Sequence, residues 1–303
     1  MTETISEASP SEGAPEAHEY GRPASIEDAS NRYFVHPLSN YVVKVAKAAG
    51  VTPNFVSLMG LGCGLLAGYL YYYTPQATYV FGAFAAMIGW HVLDGADGKL
   101  ARETGQTSAF GRIIDGICDH LVFSAVYIAL ALNIVATGSS TSIWWLVIGA
   151  GVSHAIQAAG YEERRQKFQR RLKNIQRECV EEKLLVIEGK PSFWAGLYDK
   201  AQKFVSGNDC GFDNALTALR AHPKNSQHVI PLINKTAPMV GAWGLLNANN
   251  RTAMIFVCAL LGQPAYYFLF ELVLLNVILV ALMTAESRLE KNLTAEANAL
   301  LSA

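Results

Sequence analysis

Charge is scarce in this sequence. Only 16% of its 303 residues are Asp, Glu, Lys or Arg, against 51% hydrophobic, where soluble domains carry about 25% charged residues. The shortage argues against an ordinary soluble domain and for a chain immersed in lipid. Neither sign dominates: a formal net charge of -1 excludes the strongly basic surface that a nucleic-acid partner demands. The cysteines, Cys63, Cys118, Cys179, Cys210 and Cys258, are scattered and include no C-x-x-C pair, which argues against a disulfide frame or a zinc site. The first thirty residues have neither a basic start nor an apolar run, so they are not a secretory signal. They are rich in Glu, Ser, Ala and Pro, and residues 1–30 are expected to be a disordered acidic tail ahead of one membrane domain, 31–303.

Long apolar runs are abundant. Six stretches approach the roughly 20 residues that a helix needs to cross a bilayer: about 54–73, 78–93, 109–136, 143–161, 238–261 and 265–284. The fifth is the weakest, interrupted by Asn247, Asn249, Asn250 and Arg251. The connections 74–76, 136–142 and 262–264 contain no Lys or Arg. Basic residues gather at the opposite ends: Lys44, Lys47, Lys99, Arg102, the run from Arg164 to Arg177, Arg288 and Lys291. By the positive-inside rule the bare loops face outward, and both termini lie in the cytoplasm. The expectation is an all-α, multi-pass protein of the inner (cytoplasmic) membrane, six helices around a polar cavity.

Two polar segments interrupt this plan. Over Tyr33–Ala49, Phe34, Val35, Leu38, Tyr41, Val42 and Val45 recur at helical spacing, with Lys44 and Lys47 off that face; the pattern fits an interfacial helix as well as a plain packing helix. Between the fourth and fifth stretches lies an insert, 162–237. Its start, Glu162–Lys183, prolongs the fourth helix into the cytoplasm. From Pro191, the stripe Phe193, Trp194, Leu197, Tyr198, Ala201, Phe204 and Val205 suits either a membrane interface or the protein's own core.

Against this apolar background residues 94–119 concentrate carboxylates. Asp94 and Asp97 are spaced i, i+3, and Asp115 and Asp119 are spaced i, i+4, so each pair projects from one face of a helix. Charged groups inside a membrane segment are expensive and usually mark function. Converging carboxylates cannot all stay ionised without a cation among them. Hard oxygen donors of this kind suit Mg²⁺ or Mn²⁺, often as a two-ion pair. Cys118, between the last two aspartates, is read as a small apolar helix residue. His91, one turn before Asp94, is read as a satisfied core histidine, with support of Asp94 as the alternative. His154 and Gln157 suit either helix-to-helix hydrogen bonds or an acceptor pocket, and Lys99 is expected to snorkel toward headgroups.

The string Asp94-Gly-Ala-Asp97-Gly98-Lys-Leu-Ala101-Arg102, followed by Gly111, Asp115 and Asp119, fits the pattern D-x2-D-G-x2-A-R-x8-G-x3-D-x3-D and resembles the CDP-alcohol phosphotransferase family. The resemblance implies attack of an alcohol on a CDP-alcohol with release of CMP, in phospholipid biosynthesis, by a homodimer. Carried over by position, it makes Asp94, Asp97, Asp115 and Asp119 the metal ligands, with Asp94 and Asp115 bridging, and Asp119 also the general base. Arg102 would grip the pyrophosphate; Gly98, Ala101 and Gly111 would leave room for the nucleotide, which Ser108 would also touch. Asn54 and Ser57 resemble the family's N-x-x-T element near cytidine, with Ser in place of Thr. Arg251, with Arg164 or Arg165, would bind an acceptor phosphate, although arginines of a cytoplasmic edge are an equal reading.

Two donor arrangements stay open: CDP-diacylglycerol with a small polar alcohol, which is preferred, or a CDP-linked headgroup with a lipid alcohol. A divalent-cation transporter is the alternative of a different class, and a catalytically dead scaffold is disfavoured because every motif position is kept.

Overall fold

A computed structural model describes residues 23–175, 186–187, 190–191 and 211–302, and within them the chain is almost wholly helical. α1 is His36–Ala48, entered through a π turn at Asn31–Val35. α2, Pro53–Tyr71, starts with Pro at its first position, where the ring's fixed φ suits a helix and the missing N–H costs nothing. α3, Ala77–Glu103, is one unbroken helix of 27 residues. It stops at Gly105, whose φ of +68° is a left-handed closure that glycine adopts without strain, and Gln106 N–H returns to Ala101 O at 2.8 Å. α4 is Ala109–Ala136, α5 Ile143–Lys173, α6 Gly211–Ala221, α7 Val229–Asn234, α8 Ala237–Trp243 and α9 Ala248–Leu260. α10 runs Pro264–Ser302, with a π turn at Phe270–Leu274. The strands among the described residues are a two-residue ladder, β1 Val186–Ile187 with β2 Lys190–Pro191.

Among the described residues, four helical stretches are long and apolar enough to cross a membrane: Pro53–Tyr71, Ile117–Ala136, Ile143–Lys173 and Pro264–Ser302. The expected count of six is therefore not met by composition. α3 has the length, about 40 Å at 1.5 Å per residue, but its C-terminal half spends that length on Asp94, Asp97, Lys99, Arg102 and Glu103. The fifth stretch is broken. A 3-10 turn at Gly244–Leu246 separates α8, 7 residues long, from α9, 13 residues long, and Asn247 caps α9 by accepting the Asn250 N–H at 2.8 Å.

Glycines set the closest helix contacts. Gly60, Gly64 and Gly68 repeat every fourth residue along α2 and face α3 or α4: a Cβ on Gly60 would meet Leu93 and Trp90 at 3.5 Å, and one on Gly68 would meet the Ala125 backbone at 3.1 Å. Small residues at this spacing let membrane helices approach backbone to backbone, where dispersion is greatest. The main core then fills with Tyr71, Met87, Trp90, Val122, Leu130 and Phe268.

A second core lies at the other end of α5 and α10. Phe168 of α5, Phe212 and Leu216 of α6, Leu232 of α7 and Leu293 of α10 bury together with Ile26. The insert thus packs at least in part as a helical layer on the prolonged ends of α5 and α10. Charges zip those ends: Arg164–Glu286 at 2.8 Å, Lys167–Glu290 at 2.9 Å and Arg171–Glu290 at 2.8 Å follow the i, i+3, i+4 rows of both helices. The apolar stripe from Phe193 to Val205 lies outside the described residues.

The expected tail of residues 1–30 is corrected at its end. Ala24–Ile26 form a helical turn, Ile26 is buried, and Asp28 accepts a hydrogen bond from Tyr161 Oη at 2.6 Å. α1 packs on the bundle and leaves one apolar face open. Val43 and Ala46 are buried against Val56, Ala96 and Leu100, while Phe34, Leu38, Tyr41 and Val45 form an exposed apolar face.

Asp213 supplies a pH test of the second core. Burial pushes its carboxyl up, but hydrogen bonding to Arg171 and the charges of Arg171, Lys167 and Arg170 outweigh that and hold it below the ordinary carboxylate range. Its contribution is therefore present above about pH 4, the unfolded value, and is lost as the pH falls through the lower folded one. Hydrogen exchange over residues 211–221, corrected for intrinsic rates, should rise below about pH 4, and Asp213→Asn should show the raised exchange already at neutral pH. The side chain is 43% exposed, so solvent screening keeps the effect small.

Candidate active site

Asp94 and Asp97 come together because α3 presents them on one face beside the start of α2. Asp94 and Asp97 line one cleft with Ser57 and Gly60 of α2, Trp90 of α3 and Cys118 of α4. Asp97 is buried and Asp94 half-buried. The Ser57 hydroxyl donates to Asp97 Oδ2, and Pro53 O lies 3.3 Å from the same hydroxyl. This fixes the Asp97 carboxylate against α2. Asp119, half-buried, is adjacent to the cleft-lining Cys118 on α4. The Asp115 side chain is outside the described residues.

Around the carboxylates the small residues have visible work. A Cβ on Gly98 would lie 3.3 Å from Arg102 Nη1, so the glycine opens the surface over which the guanidinium folds. A Cβ on Gly111 would lie 3.1 Å from Ser108 Oγ and 3.4 Å from Asn54 Oδ1, so α2 and the start of α4 bring Asn54, Ser108 and Gly111 to one spot. Ser108 caps α4 by accepting the Gly111 N–H at 2.9 Å. Ala101 is half-buried one turn from Gly98. Lys99 does not simply snorkel: its Nζ reaches Asn40 Oδ1 of α1 at 2.9 Å.

The donor set suits a hard cation. Asp94 and Asp97 offer carboxylate oxygens in a shared cleft with the Ser57 hydroxyl. Among the described residues no three acidic, His or Cys side chains close on one point, so two of the expected ligands share the cleft.

The two candidate acceptor arginines are both paired with acids. Arg164 is buried, pairs with Glu286 through Nε at 2.8 Å, and lies 4.1 Å from the Trp243 ring. Arg251 is 1% exposed and pairs with Glu271, which is 0% exposed, at 3.1 Å; sequence spacing gave no sign of that carboxylate, 20 residues away across a turn. Both guanidiniums are thus engaged by the protein's own acids. His91 is a core histidine, its Nε2 2.9 Å from Thr252 Oγ1. His154 meets Tyr127 Oη at 3.0 Å, and Gln157 bonds Arg251 and Asn276, so both make helix-to-helix bonds. Trp90 and Gly60, walls of the cleft, were missed in the sequence reading; only the four-residue glycine spacing could have pointed to Gly60.

The family model of CDP-alcohol phosphatidyltransferase matches residues 50–171, from the turn before α2 through α5, and so takes in the whole cleft. Over 90 residues the chain is 34% identical to the archaetidylinositol phosphate synthase of Pyrococcus horikoshii, covering 30% of this chain and 46% of that protein. It is 32% identical over 113 residues to the phosphatidylinositol phosphate synthase of Mycolicibacterium smegmatis, covering 37% and 44%. Choline/ethanolaminephosphotransferase 1 of Arabidopsis thaliana is 30% identical over 126 residues, 39% of this chain and 32% of the relative. The chain thus spans under half the length of these relatives.

Proposed function

We propose that the protein is a membrane enzyme of phospholipid biosynthesis that transfers a substituted phosphoryl group from a CDP-alcohol to an acceptor hydroxyl and releases CMP. The observation that carries this is the cleft of the matched domain, where Asp94 and Asp97 face Ser57 beside Arg102 folded over Gly98. Phosphoryl transfer asks mainly for positioning, charge neutralisation and a base. Arg102 holds the pyrophosphate oxygens with its planar fork. Asn54, Ser108 and Gly111 take the nucleoside end, with Ala101 and Gly98 leaving the helix surface flat. Asp119 takes the proton of the acceptor hydroxyl as that oxygen bonds to phosphorus and the bond to CMP breaks. Asp94, Asp97, Asp115 and Asp119 would hold Mg²⁺ or Mn²⁺, two ions in this reading, which when bound neutralise phosphate charge. Ser57 has a further part here, orienting Asp97.

In this reading α3 and the broken α8–α9 segment complete a six-helix bundle with the four apolar stretches. The cleft opens to the cytoplasm, where the basic loop ends lie, and the chain works as a homodimer. CDP-diacylglycerol is the preferred donor and a phosphorylated polyol such as inositol phosphate the preferred acceptor, in keeping with the names of the archaeal and mycobacterial relatives. The plant relative keeps the second arrangement in view, a CDP-linked headgroup passed to a lipid alcohol. Arg251 and Arg164 are assigned no acceptor contact, since each is committed to a buried or nearly buried carboxylate.

The test is CMP production by the purified protein with CDP-diacylglycerol and Mg²⁺, acceptors supplied one at a time. Acceptor-dependent CMP release names class and substrate together. Release only from a CDP-linked headgroup with diacylglycerol selects the second arrangement, and silence with every pair would return the acidic cleft to the cation-transport reading.

A further inference from the structure

α9 and α10 lie outside the matched residues, and they hold a fully buried ion pair, Arg251–Glu271. Arg251 Nε meets both carboxylate oxygens of Glu271, at 3.1 and 3.3 Å, Nη2 donates to Gln157 Oε1 of α5 at 2.7 Å, and Nη1 donates to Leu246 O. Tyr267 Oη adds a donor to Glu271 at 3.0 Å. The backbone is shaped around the pair at both ends. Glu271 sits in the π turn of α10, where the wider winding disturbs the regular ladder; Glu271 O accepts from Gln157 at 3.3 Å, and Leu272 O from Asn276 at 2.7 Å. Leu246 O belongs to the break between α8 and α9. Irregular backbone at membrane depth survives only where protein groups satisfy it, and here the pair and its partners do so.

A buried ion pair is a poor source of stability, because desolvation consumes most of the attraction; such pairs are better suited to fixing one register among several. The register in question reaches the catalytic helix. Thr252 follows Arg251 and points to another neighbour, its Oγ1 2.9 Å from His91 Nε2 on α3. His91 is one turn before Asp94. With Arg251 anchored on α5 and α10, Thr252 is anchored on α3. Resting on the phosphoryl-transfer reading above, we infer that Arg251–Glu271 and Thr252–His91 are positioning residues that set α9 against α3 and hold the Asp94–Asp97 turn in its productive placement.

The full-length protein in nanodiscs, with the donor and acceptor that give CMP release, provides the test. Arg251→Met/Glu271→Leu removes both charges together, leaving neither buried alone. It should fold with a Tm close to wild type but lose kcat by roughly 10–100-fold, the range for residues that orient a catalytic ligand, at unchanged KM. Thr252→Val should lose kcat roughly tenfold, with recovery in Thr252→Ser, which keeps the hydroxyl. Wild-type kcat in Thr252→Val would overturn the inference, even if the double variant failed to fold. So would a double variant as active as wild type, or one in which only the acceptor KM rises, which would make Arg251 a substrate contact. A wild type silent with every donor would instead bring down the functional reading and this inference with it.

Discussion

Asp119→Asn should lower CMP release by about 10²–10⁴-fold, the usual share of a positioned base, with Tm and helix content unchanged. Asparagine keeps the size of the side chain but cannot take the acceptor proton. In the proposed mechanism Asp119 takes this role; in the chain it follows Cys118, which lines the cleft shared by Asp94 and Asp97. A second substitution separates base from ligand. Asp97→Asn removes a proposed ion ligand that Ser57 holds in place, and raising Mg²⁺ or Mn²⁺ should recover part of its activity. Asp119→Asn loses the base as well as a ligand, so added metal should recover much less of its activity. Retention of activity in Asp119→Asn would rule out its role as base, and equal metal rescue of both variants would leave Asp119 a ligand only.

The largest effect on folding is expected at Gly64. A Cβ built there falls 2.2 Å from Val122 Cγ2, 2.5 Å from Cγ1 and 2.8 Å from Cβ. Val122 is fully buried, and a β-branched side chain in a helix has essentially one rotamer, so it cannot swing away. α2 and α4 would have to separate. Gly64→Ala should cost about 1–3 kcal/mol, as overpacking does, and it should disturb the cleft, because Ser57 and Gly60 ride on the same helix. Val122→Ala in the same chain should restore much of the loss. Gly62→Ala is the control: nothing lies within 4 Å of its Cβ position, and a change there should be neutral or slightly stabilising through helix propensity. Thermal denaturation in one detergent decides it, and a Gly64→Ala Tm equal to that of Gly62→Ala would contradict the packing.

Much of the site was legible because its residues are local in sequence. Asp94, Asp97, Gly98, Ala101 and Arg102 span little more than two turns of one helix, so their spacing alone puts them on neighbouring faces. Asn54 and Ser57 came within reach through a second short pattern. The helical class and the paucity of polar loops followed from hydropathy, which acts residue by residue. Arg251 shows where such reading stops. Its partner Glu271 is supplied by a different helix after a turn, and the π winding that aims Glu271 inward leaves no pattern in composition.

Among the described residues, composition alone marks four spans rather than six, for related reasons. A hydropathy run does not reveal that Asn247 caps a new helix and breaks the fifth stretch, nor that the motif's own charges lower α3. The sixth apolar stretch ends near residue 284, but its helix continues to Ser302, where Phe168, Phe212 and Leu216 cover its amphipathic extension. The sequence by itself determined an apolar helical chain with one acidic, glycine-bearing motif, since lipid solubility and i, i+3 spacing depend only on nearby residues. Tertiary structure alone decided which charges are spent on one another, which glycines are crossings, and which hydroxyl holds Asp97. Those depend on distances between helices that no local spacing contains.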